Sequence, residues 1–307
     1  MTNARIVSLL PSATEIVFAL GFGDQLVGRS HECDFPAGVG DLPILTESKL
    51  DCEGLSYEVD ARVRAIVQEG LSVYRVLGER LQSLAPDVIV TQAHCEVCAV
   101  NVKQVEEAVC ELLGSRPKVV ALEPKGLSEV WEGMEDVAKA AGAPEKGTAL
   151  VADLKARMVE ISDVAQAQLS RPSLAYIEWV DPLMAGGNWM PELIEMAGGE
   201  NLFGVAGEHS PWINWDQLVD ADPDVILVAP CGFDIDRTRK DVASVADKPE
   251  WRGLRAVRGG NVYLGDGHQY FNRPGPRLVE SLEIIAEILY PEKIQPRHEG
   301  RGWIRLP

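Results

Sequence analysis

Long apolar runs are missing from this sequence. None approaches the roughly 18–20 residues that a membrane-spanning helix needs, so no such span is expected. The opening stretch, MTNARIVSLLPSATE, lacks the charged segment, long apolar segment and small-residue cleavage site of a secretory signal. The chain as written is therefore expected in the cytoplasm, and in the periplasm or outside the cell only where a leader has been removed. Positive charge is also scarce. Against 47 Asp and Glu stand 29 Lys and Arg, a formal net charge of -18, which argues against nucleic acid or an anionic membrane as the main partner. Enzyme signatures are absent: there is no Walker A loop, no G-x-G-x-x-G after the first strand, no G-x-S-x-G elbow and no H-E-x-x-H. The six cysteines are expected as reduced thiols rather than a disulfide framework. A lone C-x-x-C, Cys95 to Cys98, has no second pair at zinc-finger spacing.

What is present is an α/β pattern. With 307 residues, 46% of them hydrophobic, the chain can bury a substantial core. Short β-branched runs alternate with segments of helical period, as in folds built on parallel strands. Strands are expected at Arg5–Leu10, Leu26–Ser30, Asp87–Gln92, Lys118–Glu123, Ser173–Trp179, Val225–Ala229 and Asn261–Leu264. Pro11 and Ser12 open a first helix that Gly21 ends. Apolar stripes run through Val102, Val105, Val109 and Leu112, and through Leu278, Leu282, Ile285 and Leu289. From Glu145 to Leu169 a single stripe, Leu150, Leu154, Met158, Ile161, Ala165 and Leu169, continues without an internal Pro or Gly apart from Gly147 near its start. A helix of that length spans roughly 37 Å and reads as a stiff connector. The expected organisation is an α/β lobe over 1–124, connecting helices over 125–170 and a second α/β lobe over 171–307.

The chain echoes itself. GERLQSLAPDVIVTQ places Glu79 ahead of Pro86, and WDQLVDADPDVILVA places Asp216 ahead of Pro223 at the same offset. Each copy reads as a short helix carrying an acid, a turn at Pro-Asp and a buried strand.

In parallel α/β sheets, ligands bind beyond the carboxyl ends of the strands. The residues there are Ser12; His31, Glu32 and Cys33; Gln92 followed by His94, Cys95 and Cys98; Glu178 and Trp179; Cys231 and Phe233; and His268, Tyr270, Phe271 and Arg273. Three chemistries fit. His31, Cys33, His94, Cys95 and Cys98 have the donor atoms of a metal site. Cys95 and Cys98 precede a helix and could serve a thiol-redox or metal-dependent enzyme, or simply pack the loop. Trp179, Trp189, Trp212, Phe233, Tyr270 and Phe271 concentrate in the second lobe of a chain that is only 6% aromatic, which suits a large, flat, partly apolar ligand.

Several stretches carry a family resemblance: RIVSLLPSATEIVFALGFGDQLVGRSHECDFP, APDVIV, MAGGNWMPELIEMAGGENLFG, SPWINWDQLVDADPDVILV and YFNRPGPRLVESL. In content and order they resemble the class III, helical-backbone substrate-binding proteins of ABC importers, most closely the cobalamin binders. The resemblance implies two α/β lobes with mostly parallel sheets, joined by one long helix, with the ligand cleft between the lobes. It implies a monomeric, non-enzymatic binder of a small molecule, a cobalamin or related corrinoid, that is not membrane-embedded. Haem, a ferric siderophore or a metal ion is the alternative cargo in the same cleft. Glu79 and Asp216 take the positions of the carboxylates that dock on the transporter's membrane subunit. Trp179, Trp212, Tyr270, Phe271 and Arg273 match ligand-holding positions. The first lobe departs from the pattern, offering Glu32 and Gln92 where the cobalamin binders place aromatics. Its added His and Cys residues could ligate corrinoid cobalt directly.

Overall fold

The computed structural model of the chain describes residues 4–49, 51–68, 74–92 and 116–307. His94, Cys95, Cys98 and the stripe from Val102 to Leu112 lie outside the described residues. The chain forms two compact units. One comprises Met1–Cys52, Ala61–Pro124 and Ser128–Asp153, and the other Glu53–Asp60, Lys125–Leu127 and Leu154–Pro307.

In chain order, the first unit's elements begin with β1 (Ile6–Ser8), α1 (Pro11–Ala19), β2 (Leu26–Gly28) and β3 (Thr46–Ser48). Next come α2 (Ser56–Gln68), which begins in the second unit and enters the first at Ala61, then β4 (Tyr74–Val76), α3 (Gly78–Leu84), β5 (Val88–Gln92) and β6 (Lys118–Leu122). Helices α4 (Leu127–Ala140) and α5 (Pro144–Gln166) follow. The main sheet has the order β2-β1-β5-β6 with every pairing parallel, while β3 and β4 form a separate antiparallel pair. Successive strand residues are apolar and covered on both faces, as parallel sheets require: Ile6, Val7, Val88, Ile89 and Val90 are all buried. Burying each such side chain stabilises the unit by roughly 1.5–3 kcal/mol.

Strand β1 is shorter than the run Arg5–Leu10 predicts. Leu10 is extended because Pro11 follows it, and the Ser8 hydroxyl donates to the Leu10 carbonyl, turning the chain out of the sheet. Helix α5 starts on Pro144, where a missing N–H costs nothing, and ends at Gln166, short of Leu169, which is fully exposed. The division between the two units falls within it, at Asp153 and Leu154.

The second unit adds β7 (Ser173–Trp179), β8 (Met184–Ala185), α6 (Met190–Met196), β9 (Glu200–Asn201), α7 (Trp215–Ala221) and β10 (Val225–Val228). Beyond them lie α8 (Ile235–Ala243), α9 (Pro249–Gly253), α10 (Arg255–Arg258), β11 (Val262–Gly265), α11 (Leu278–Leu289) and β12 (Trp303–Arg305). Parallel strands β7, β10 and β11 form the middle of a sheet ordered β12-β11-β10-β7-β8, and β9 also pairs with β7. Ile177, Ile226, Val228, Leu218, Trp251, Val262 and Leu264 share one core. Helix α11 buries more than its expected stripe, Glu287 included. That carboxylate accepts the backbone N–H of Arg297 (2.8 Å) and His298 (3.2 Å) and the Trp303 indole N–H (2.7 Å), which fastens the C-terminal segment.

The internal echo has a structural meaning. Helices α3 and α7 each run seven residues with the acid, Glu79 or Asp216, in the first turn. Each ends on a non-glycine residue in the left-handed region, Ala85 at φ 41° and Asp222 at φ 36°. The aspartate of each Pro-Asp then accepts the backbone N–H at the start of the neighbouring parallel strand: Asp87 from Arg5 at 2.8 Å, Asp224 from Ser173 at 3.0 Å. The repeated dipeptide caps a strand. No described helix is long and apolar enough to cross a membrane.

Candidate ligand-binding face

At the carboxyl ends of the first unit's strands the chemistry is that of hydroxyl groups. Thr14 lies within hydrogen-bond distance of Ser8 Oγ (2.9 Å) and Cys33 Sγ (3.0 Å). Thr46 Oγ1 donates to Ser30 Oγ at 2.9 Å and receives the backbone N–H of His31 at 3.0 Å. His31 Nδ1 lies 2.7 Å from the same Thr46 Oγ1, so Nε2 is the ring nitrogen that this contact does not hold. The Tyr74 hydroxyl donates to Glu32 Oε1 at 3.0 Å, and its ring lies 5.5 Å from that of His31. Arg29 is buried and turned inward, donating to the carbonyls of Ser30, Cys33 and Gly40. Ser12 is buried at the start of α1, and its hydroxyl has no hydrogen-bond partner among the described residues. Gln92 is exposed at the end of β5. Of the metal-donor set, His31 and Cys33 are described, and among the described residues no three His, Cys, Asp or Glu side chains gather at metal-binding distance.

The second unit's strand ends are aromatic. Trp179, last in β7, packs against Phe233 with centroids 5.3 Å apart and ring planes inclined at 59°, and the Arg237 guanidinium lies 3.6 Å from the centroid of the Phe233 ring. Phe233 is almost fully buried, and Phe271 is wholly buried. Phe271 sits at φ 59°, where a bulky residue is held only by its surroundings. Those surroundings are the Trp189 indole, which donates to its carbonyl at 2.7 Å, and Ser281, whose hydroxyl accepts its N–H at 3.0 Å. Trp189 and Tyr270 are buried with it, and the Arg277 guanidinium covers the Tyr270 ring at 5.1 Å. These rings brace the face from behind.

Trp212 is the ring that reaches out, at 54% exposure. Its backbone is nonetheless fixed: Ala185 donates to the Pro211 carbonyl and Ile213 to that of Leu183, both at 3.0 Å. Behind it the chain packs on glycines. A Cβ at Gly187 would lie 2.6 Å from the Glu208 carbonyl, and one at Gly204 would strike the Gly186 carbonyl. Only glycine permits that approach. Cys231 is exposed just after β10. His268 and Arg273 meet at 3.2 Å in the loop after β11, and Asp266 accepts the His268 and Gln269 N–H groups at the root of that loop. Burial pushes the Asp266 carboxyl up, against those hydrogen bonds.

Glu79 and Asp216 are exposed. Each stands at a helix start, where a carboxylate is favoured by the dipole.

A sequence profile described as periplasmic binding protein matches residues 6–268. The chain belongs to that family. Its relatives include an uncharacterised ABC transporter substrate-binding lipoprotein of Bacillus subtilis, 25% identical over 94% of this chain and 80% of the relative. A vitamin B12-binding protein of Vibrio cholerae is 24% identical over 93% of this chain and 88% of its own length. Among solved structures, a periplasmic heme-binding protein of Roseiflexus aligns with a TM-score of 0.69 at 22% identity, over 94% of this chain and 98% of that one. The α/β architecture with parallel sheets is thus that of the periplasmic binding proteins.

Some contributors were not legible beforehand. Asp241, fully buried on α8, accepts the N–H of Ser56 at 2.8 Å, and Ser56 Oγ accepts that of Asp181 at 3.0 Å. Arg237 also donates to the Gly54 carbonyl. Partners 125 to 185 residues apart leave no local pattern. Ser210, which joins Glu178 to the Gly187 N–H, is likewise one serine among many in the sequence.

Proposed function

We propose that this periplasmic binding protein captures a corrinoid of the cobalamin class, without altering it chemically, for delivery to the membrane subunit of an ABC importer. The observation that carries the reading is Trp212. A tryptophan exposed at 54% on a backbone fixed by strand pairing and glycine contacts is a preorganised stacking surface, which lowers the ordering cost of binding a flat ligand. The vitamin B12-binding relative supports the ligand class. Glu79 and Asp216, each exposed in the first turn of matching helices, would be the docking carboxylates. Haem or a ferric siderophore is the second reading. The half-buried His31, with Nε2 free of its Thr46 contact, could ligate a chelated metal in either case.

Quenching of tryptophan fluorescence by cyanocobalamin tests the proposal. Saturable 1:1 quenching is expected, with affinity falling at least about tenfold in Trp212→Ala, the loss of one stacked ring. Quenching by hemin alone would favour the second reading, and no saturable quenching by either would overturn both.

A further inference from the structure

The carboxyl end of β7 holds a charge that neither the aromatic wall nor the family likeness explains. Glu178 is only partly exposed, and among the described residues its carboxylate accepts from Ser210 Oγ, to Oε2 at 2.8 Å. Ser210 Oγ in turn receives the Gly187 N–H at 3.0 Å. No Lys or Arg among the described residues pairs with Glu178. The titratable groups acting with it are His209 on the adjoining loop and Tyr176 lower on the same strand, on which Cys231 after β10 also acts. Burial pushes the Glu178 carboxyl up to about 7, against the Ser210 hydrogen bond and the charge of His209.

Resting on the binding reading above, we propose that Glu178 is a charge filter. It accepts ligands whose rim presents neutral N–H donors, such as the side-chain amides of a corrinoid, and disfavours ligands whose rim presents carboxylates, such as haem propionates. The unused lone pairs of the carboxyl group can take an amide N–H. A carboxylate brought beside it meets a like charge in a site of reduced dielectric, where no Lys or Arg among the described residues pairs with Glu178.

Two probes with the same ring separate these cases: dicyanocobinamide, rimmed by amides, and dicyanocobyrinic acid, rimmed by carboxylates that stay ionised from pH 6 to 8. Titrated by absorbance or calorimetry, the full chain is expected to lose affinity for the acid relative to the amide by about tenfold across that range, the repulsion from one partly screened charge. In Glu178→Gln the ratio is expected to be independent of pH. In Ser210→Ala, which removes the bond favouring the ionised carboxylate, the midpoint of the change is expected to move to higher pH.

A pH-independent ratio in the unaltered protein overturns the inference. So does a slope that persists in Glu178→Gln, which would assign the effect to another group. Should Glu178→Gln fail to fold, an unmoved midpoint in Ser210→Ala overturns it as well. Failure of both probes to bind at any pH is a different result, and refutes the binding reading on which the filter rests.

Discussion

At the amino ends of their sheets the two units are built alike, and at the carboxyl ends they are not. In each, a seven-residue helix with an acid in its first turn closes on a left-handed residue. An aspartate then caps the neighbouring strand, Asp87 on Arg5 in one unit and Asp224 on Ser173 in the other. The opposite ends diverge. The first unit presents Ser8, Thr14, Ser30, His31 and Thr46 in a hydrogen-bonded array, the second a braced wall of rings with Trp212 projecting. The aspartate caps serve the pairing of the strands, a demand common to both units. The carboxyl ends are where a parallel sheet meets its ligand, so they are free to differ in chemistry while the scaffold repeats.

Substitutions can sharpen this contrast. Within the aromatic wall, the rings that brace should be separable from the ring that projects. Phe271→Ala, at a wholly buried site, is expected to cost about 3–5 kcal/mol in urea unfolding, whereas Trp212→Ala should stay within about 0.5 kcal/mol. Equal losses would break the distinction.

Glu178 gives the next largest effect. Its folded pKa of about 7 lies above the ordinary 4.5, so the folded state is favoured while the group is protonated. That contribution is fully present below pH 4.5 and is lost as pH rises through 7, a change of up to about 3 kcal/mol. Urea titrations should show the advantage of Glu178→Gln over the parent growing between pH 5 and 8, and a constant difference would count against the buried acid.

At the amino ends, Asp87→Ala is expected to cost about 1 kcal/mol, one strand cap. Asp224→Ala should cost more, about 2 kcal/mol, because Asp224 also accepts the Ser173 hydroxyl and pairs with Arg255. Burial opposes its ionisation, but the Ser173 bonds and Arg255 hold the carboxyl below its usual range. Its share of stability is therefore present above the ordinary carboxylate pKa and lost as pH falls through the lower folded value.

The smallest effect has the opposite sign. Ala85→Gly should stabilise by about 0.5–1 kcal/mol, since glycine carries no Cβ in the left-handed region. Asp222→Gly should show no such gain, because Asp222 also receives the Arg255 N–H at 2.6 Å. Thermal or urea midpoints for the pair would reveal whether the two turns are equivalent in strain and unequal only in contacts.

Much of the scaffold was legible because it depends on local pattern. The apolar runs of β5, β7, β10 and β11, the 3.6-residue period of α5 and the repeated Pro-Asp each declare themselves within a few residues. The roles of the aromatics do not. Tyr270 and Phe271 are neighbours, yet both are drawn inward by a loop whose course depends on Trp189 and Ser281. The loop that carries Trp212 is held by close backbone approaches at Gly187 and Gly204 that no apolar pattern announces. The Ser56–Asp241 link and the Glu287 clasp on Trp303 are likewise products of tertiary closure. Composition could place rings at strand ends; only the fold could tell support from contact surface.

The central claim concerns the ligand, and native mass spectrometry tests it most directly. Purified chain, incubated with an equimolar mixture of cyanocobalamin, hemin and a ferric hydroxamate, is predicted to carry a single adduct of one corrinoid per chain. A hemin or hydroxamate adduct in its place, or the bare chain alone, would contradict it.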